Sequence, residues 1–296
     1  MNQPPGEPDR DPRPLICTIG DLILDVVVLP RAPLVPDADR PATISLTGGG
    51  QAANVAAWAS ALGARSRLIC ARGTDGASEI AAAHLRRQGV EICGPVIAGK
   101  GGVVVSIREP DGARTMASDP GTAALLEPAA VDPSWVQSAD VLHVSGYCLL
   151  REPVAQAALA ASRAARRVTL DLASAQDIET YGAERFSALV AELGPELIFA
   201  NEAERAVVPG LRAPGWVIKR GAGGALFPDG HYDALPAEVA DTTGAGDALA
   251  AGYLVGGPRL AMVAASRCVA AIGAMPAPTA PTGRLLSSAP HEGGSV

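Results

Sequence analysis

Short apolar runs alternate with segments of helical periodicity along almost the whole chain, and this alternation restricts the fold more than any other feature. CTIGDLILDVVVL reads as a strand that stays extended past a turn, QAANVAAWASALG as a helix, RSRLICARG as a strand and EIAAAHLRRQG as a helix. GGVVVSIREP and ADVLHVSGY are strands, PVAQAALAASRAARR a helix and RVTLDLAS a strand. ELIFANEAE and GWVIKRGAGGALF add two strand-to-loop units, and AGDALAAGYLV and RLAMVAASRCVAAIGAM are helices by spacing. Strands interleaved with helices of this length predict an α/β fold with a mainly parallel sheet covered on both faces. Segments 26–47 and 96–117 break the pattern: they carry strand residues with no helix between them, and Asp111–Gly112 is a hairpin signal. They predict a small β-structure standing off the main sheet and covering a ligand.

The length of 296 residues suits one large α/β domain. Residues 1–14 hold five prolines and no apolar core of a secretory signal, so they read as a disordered tail; residues 276–296 read as a flexible one. The domain between them spans 15–275. No apolar run reaches the roughly 18–20 residues of a membrane span, so no membrane partner is expected. A net charge of −7 argues against a nucleic-acid partner, while leaving room for an anion held by backbone amides. The five cysteines form no C-x-x-C pair and the four histidines no metal-ligand spacing, as in a cytoplasmic protein with reduced, buried thiols.

The strongest local signal is Asp241-Thr-Thr-Gly-Ala-Gly-Asp247, directly before the helix ALAAGYL. Gly244, Ala245 and Gly246 can turn tightly and present N–H groups beside a positive helix end, which makes an anion hole. Asp247 at its mouth is either the N-cap of that helix or a base that takes a proton from an attacking hydroxyl. Thr47-Gly-Gly-Gly-Gln-Ala-Ala-Asn54 opens another helix: its glycines admit close approach, and Asn54 suits a polyol hydroxyl or simply faces solvent. The same stretch matches the dinucleotide fingerprint G-x-G-x-x-A without its acidic partner, leaving an NADP-dependent oxidoreductase, with Arg72 on the 2′-phosphate, as a rival. Gly20-Asp-Leu-Ile-Leu-Asp25 ends the first strand, with Asp21 and Asp25 on one face. Asn201 caps the turn after ELIFA or serves a nucleotide, and Glu204 can hold magnesium through water. Lys219-Arg220 precedes the glycine turn Gly221–Gly224 and suits nucleotide phosphates.

The order of these motifs resembles the ribokinase-like (PfkB) family of carbohydrate and nucleoside kinases, from about Ile16 to about Gly273. The resemblance implies a doubly wound, mainly parallel sheet flanked by helices with a small β lid. It implies Mg2+ and ATP and a small sugar or nucleoside acceptor; a homodimer joined through the lid and a monomer with an exposed lid are equally compatible with the sequence. In that pattern Asp247 is the catalytic base and Gly244, Ala245 and Gly246 the anion hole. Asp25, Gly49, Gly50, Gln51 and Asn54 bind the acceptor. Asn201, Lys219, Gly221 and Gly224 bind ATP, and Glu204 binds magnesium. Asp241 and Thr243 match a monovalent-cation site. The family's lysine after the glycine pair is Gln51 here, and Ile23-Leu-Asp25 replaces its usual N-A-D, so two polar contacts to ribose are changed. A sugar or sugar acid is the expected acceptor and a nucleoside the alternative. Arg108 and Arg114 are available for a phosphorylated sugar. A non-catalytic sensor is the alternative from another class, against which the intact DTTGAGD stands.

Overall fold

The computed structural model describes residues 11–111 and 113–277. Most of both expected tails, and Gly112 of the expected hairpin turn, lie outside the described residues. The strands are β1 (Leu15–Ile19), β2 (Ile23–Pro30), β3 (Ala42–Gly49), β4 (Arg65–Ile69), β5 (Val90–Cys93), β6 (Gly102–Arg108) and β7 (Arg114–Asp119), followed by β8 (Val141–Ser145), β9 (Val168–Asp171), β10 (Leu197–Asn201), β11 (Gly215–Lys219), β12 (Ala225–Phe227) and β13 (Gly230–Tyr232). The helices are α1 (Gln51–Ala61), α2 (Gly76–Arg87), α3 (Pro133–Gln137), α4 (Val154–Ala164), α5 (Ala175–Tyr181), α6 (Ala183–Leu193), α7 (Glu202–Val207) and α8 (Ala245–Val269).

Nine strands form the main sheet in the order β13-β12-β11-β10-β9-β8-β1-β4-β5. It is parallel from β11 to β5, and only β12 and β13 at one edge run antiparallel. The chain starts at β1, winds outward to β5, then returns to β8 on the other side of β1. That reversal is the switch point of a doubly wound sheet, where the carboxyl ends of the strands leave a crevice. Strands buried on both faces explain the continuous apolar runs: β1 and β8 are buried along their whole length. One core lies under α4 and α6, with Leu142, Leu170 and Phe186 fully enclosed; the other lies under α1 and α8 around Ile16, Phe199 and Val217.

CTIGDLILDVVVL is two strands rather than one, because the chain leaves the main sheet after Ile19 and enters a second sheet at Ile23. This four-stranded sheet has the order β3-β2-β6-β7 and uses strands from both irregular segments. Its arms β6 and β7 pair antiparallel up to Arg108 opposite Arg114. Helices α5 and α6 are additional to the elements expected from periodicity.

α8 is long and apolar enough, by length and composition alone, to cross a membrane. It is nevertheless broken at Gly256–Gly257, where the backbone is not helical, and its apolar residues Leu249 and Met262 join the core beside α1. The second helical segment stops at Val269 instead of continuing to Met275. The reason is polar: Trp58 Nε1 donates to the Ala274 carbonyl at 2.9 Å and the Gly273 N–H donates to Asp241 at 3.1 Å, folding residues 270–275 back across the end of α1. Trp58→Phe leaves that buried carbonyl with the weak thiol of Cys268, 3.9 Å away, as its donor, and is expected to cost about 1–3 kcal/mol of unfolding free energy in urea titration, with the helix content unchanged.

Candidate active site

The glycine-rich segments and the strand ends converge over the switch point. At the end of β3, the carboxyl of Asp25 lies 2.2 Å from where a Cβ on Gly49 would stand, so only glycine admits it. Gly50 then turns with φ 98° and caps α1. Gln51, in the first turn of α1, accepts a 2.6 Å bond from the Ser145 hydroxyl at the end of β8. One turn further, Asn54 is buried, and its Nδ2 donates to Oδ2 of Asp247 at 2.8 Å while its Oδ1 has no partner among the described residues. Asp21 stands in the turn between the two sheets, not on β2. Burial pushes its carboxyl up, Arg151 pulls it partly back, and its Oδ1 is also buried without a partner among the described residues.

Gly244 caps α8 in the left-handed region, φ 78°, with Ala274 packed where a Cβ would go. Asp247 lies in the first turn of α8 and makes no side-chain cap bond to the helix, so its carboxylate is free to face Asn54. Burial first, then the neighbouring Asp171, push its pKa up to about 8, against the opposing Asn54 bond and Lys219 charge. Asp25 is pushed up to about 7 by burial and by Asp21.

The nucleotide-side residues are arranged differently from the expectation of a cationic pair. Lys219 turns inward: its Nζ donates to both oxygens of Asp171, at 2.8 and 3.0 Å, and lies 3.8 Å from Glu204. Arg220 turns outward and pairs with Glu202 at 3.1 Å. Lys219 is the last residue of β11 and Arg220 the first of the turn beyond it, where the chain leaves the strand, which separates the two charges. Burial alone would strip the Lys219 proton, but Asp171 and Glu204 more than offset it and hold the ammonium above its ordinary value. Gly221 and Gly224 bound the turn that follows, closed by the Arg220 N–H on the Gly224 carbonyl at 2.9 Å. Asn201 and Glu204 form a capping box, each side chain accepting from the other's backbone N–H at 2.8 Å. Asp171 and Glu204 thus share a single ammonium, whose charge also acts through space on Asp247.

Three further expected ligands already hold hydrogen bonds within the protein. Asp241, matched to a monovalent-cation site, accepts from the Thr243 N–H (3.0 Å), the Thr243 hydroxyl (2.7 Å) and the Gly273 N–H (3.1 Å). The two arginines considered for an acceptor phosphate reach the loop 240–243. Arg108 donates to the Ala240 carbonyl and Arg114 to the Thr243 hydroxyl, tying the small sheet to the strap before the anion loop. The dinucleotide reading also loses its frame, because β3 pairs antiparallel with β2 outside the main sheet. The residues missed in the sequence are Asp171 and Ser145. Their one signal is a polar residue closing a buried apolar strand, in VTLD and VLHVS.

The pfkB family carbohydrate kinase model matches residues 13–275. The chain belongs to the pfkB family. Its members are kinases, phosphotransferases that use an alcohol group as acceptor. The chain is 30% identical over 259 residues to an ATP-dependent ribose-1-phosphate kinase of Halopiger xanaduensis, covering 81% of this chain and 83% of the relative. It is 28% identical over 263 residues to a cytidine kinase of Thermococcus kodakarensis, covering 81% and 87%. The fold matches adenosine kinase of Sinorhizobium meliloti with a TM-score of 0.77 at 23% identity, over 88% of this chain and 95% of that one.

A carboxyl whose pKa is raised by folding holds its proton more tightly in the folded state. Its ionisation therefore costs stability as pH rises from the unfolded value near 4 through about 8. Asp247→Asn is accordingly expected to melt a few degrees higher than the parent at pH 9 and level with it at pH 4, measured by thermal unfolding across that range.

Proposed function

We propose that this pfkB kinase transfers the γ-phosphoryl group of Mg·ATP to a hydroxyl of a small carbohydrate, a sugar or sugar acid, bound between the four-stranded sheet and the ends of β1 and β8. The observation that carries this reading is the Asn54–Asp247 hydrogen bond, which joins the acceptor-side glycine segment to the anion loop. Asp25, Gly49, Gly50, Gln51 and Asn54 would hold the acceptor. The orphaned oxygens of Asp21 and Asn54 are acceptors suited to its hydroxyl protons. Asp247 would take the proton of the attacking hydroxyl as its oxygen bonds to phosphorus and the bond to ADP breaks. The N–H groups of Gly244, Ala245 and Gly246 would face the phosphoryl oxygens. Lys219, Gly221, Gly224 and Asn201 would serve the nucleotide phosphates, and Glu204 would meet magnesium through water. When bound, that ion would neutralise phosphate charge. The four-stranded sheet would act as the lid that excludes water from the transfer.

A nucleoside acceptor is the second reading, favoured by the cytidine kinase relative and by Tyr147, which lines a small cleft beside Asp21 and offers a ring to a base. ADP release should be followed over sugars, sugar acids, sugar phosphates and nucleosides. One class is expected to give acceptor-dependent ADP, and Asp247→Asn to reduce it by roughly two to four orders of magnitude; an unaffected rate would remove Asp247 as the base.

The outer face of the lid pairs Val26 with Leu46 and Val28 with Ile44, and sets Val105 and Ile107 beside them. Ile44 is 61% and Leu46 49% exposed. We propose that this face joins two copies of the chain. Light scattering is expected to give a dimer mass for the parent and a monomer mass for Ile44→Glu.

A further inference from the structure

We propose that Asp171 is a positioning residue for phosphoryl transfer, fixing the Lys219 ammonium against the anion loop at Gly246. This deepens the kinase reading and rests on it. Asp171 closes β9 with no exposed surface. Its two oxygens take Lys219 Nζ at 2.8 and 3.0 Å, and Oδ1 also accepts the Ala173 N–H at 3.1 Å. Ala173 has φ 76°, a conformation that residues with side chains rarely adopt. The chain therefore leaves the sheet by an unfavourable turn that keeps the carboxylate facing inward.

Stability does not account for this arrangement. A buried ion pair gains little over apolar packing, because desolvating both charges offsets their attraction. Its product is a placed charge. Lys219 Nζ lies 3.3 Å from where a Cβ on Gly246 would stand, so the missing side chain of the loop glycine brings the ammonium directly against the predicted anion hole. Gln51 carries no charge and is engaged with Ser145, while Arg108 and Arg114 reach the strap before the loop rather than the loop itself. Lys219 is the cation placed to meet the transferring phosphoryl oxygens. Without Asp171, the ammonium would keep Glu204, now 3.8 Å away, and the charge of Asp247 as carboxylate neighbours, and would lose the two-oxygen contact that fixes its place.

The test is a double-mutant cycle with Asp171→Asn, Lys219→Met and the pair together, read by steady-state kinetics and by calorimetric titration of ATP and ADP. Asn keeps the size of Asp171 and an oxygen for the Ala173 N–H. Melting curves confirm that each variant is folded. Lys219→Met is expected to lower kcat roughly 100-fold and to reduce the preference for ATP over ADP about tenfold. Asp171→Asn is expected to do nearly the same, with the acceptor KM within threefold of the parent. In the Lys219→Met background Asp171→Asn should add no further loss. Three results would overturn the proposal: an undiminished ATP preference in Asp171→Asn, equal and additive losses in the double variant, or a lowered melting point with kinetics and binding intact. A tighter ATP complex in Asp171→Asn would overturn it as well, since Asp171 would then act only as a charge through space. If the parent released no ADP with any acceptor, the kinase reading would fail, while the calorimetric arm would still decide whether Asp171 sets the ATP preference through Lys219.

Discussion

The hydrogen bond from Asn54 to Asp247 spans 193 residues of sequence and joins the starts of two helices. Both α1 and α8 begin at glycines whose backbones are turned through positive φ, and both aim their N-termini at the crevice where the doubly wound sheet reverses. The positive ends of two helices therefore meet over one point. That convergence attracts an anion. It also tolerates a carboxylate at Asp247, because the same dipoles and Asn54 partly offset its burial. The return of residues 270–275 across Trp58 serves the same geometry: Ala274 packs against Gly244 and Gly273 donates to Asp241, so the C-terminal segment holds the anion loop in place.

Charge is distributed unevenly around that point. Asp21, Asp25, Asp171, Glu204 and Asp247 lie near it, and Lys219 is the cation in direct contact with any of them. Burial raises Asp21, Asp25, Glu204 and Asp247 alike. Such a surplus of carboxylate is unfavourable for the protein alone, because each buried charge loses its hydration. A raised carboxylate near neutral pH is also a better proton acceptor than an ordinary one, since proton transfer is most efficient when the pKa lies near the working pH.

Much of this arrangement is legible in the residues alone. Strands in a parallel sheet are buried on both faces, so their apolar runs stand out, and glycine loops at helix starts announce themselves because no other residue fits. What escapes the sequence depends on direction rather than type. Lys219 and Arg220 look like one cationic pair, yet the strand ends between them, so that one turns inward to Asp171 and the other outward to Glu202. Asp241 looks like a ligand, and nothing in its motif shows that it also accepts from Thr243 and from Gly273, 32 positions later. Arg108 and Arg114 look like acceptor ligands, but their reach is set by how the small sheet leans over the large one. Asp171 is inconspicuous because a single aspartate after VTL has no motif around it; its meaning comes from a lysine 48 positions later.

The contacts of Arg108 and Arg114 connect the two sheets functionally. The strap 240–243 carries the anion loop, and it is bound on one side by Asp241 and Gly273 and on the other by the two lid arginines. The lid strand β2 carries Asp25, on the acceptor side. Movement of the small sheet therefore cannot change the acceptor pocket alone: it loads or releases the strap that positions Gly244–Gly246. If the small sheet acts as the proposed lid, these two contacts would make its movement over the acceptor and the setting of Gly244–Gly246 a single displacement.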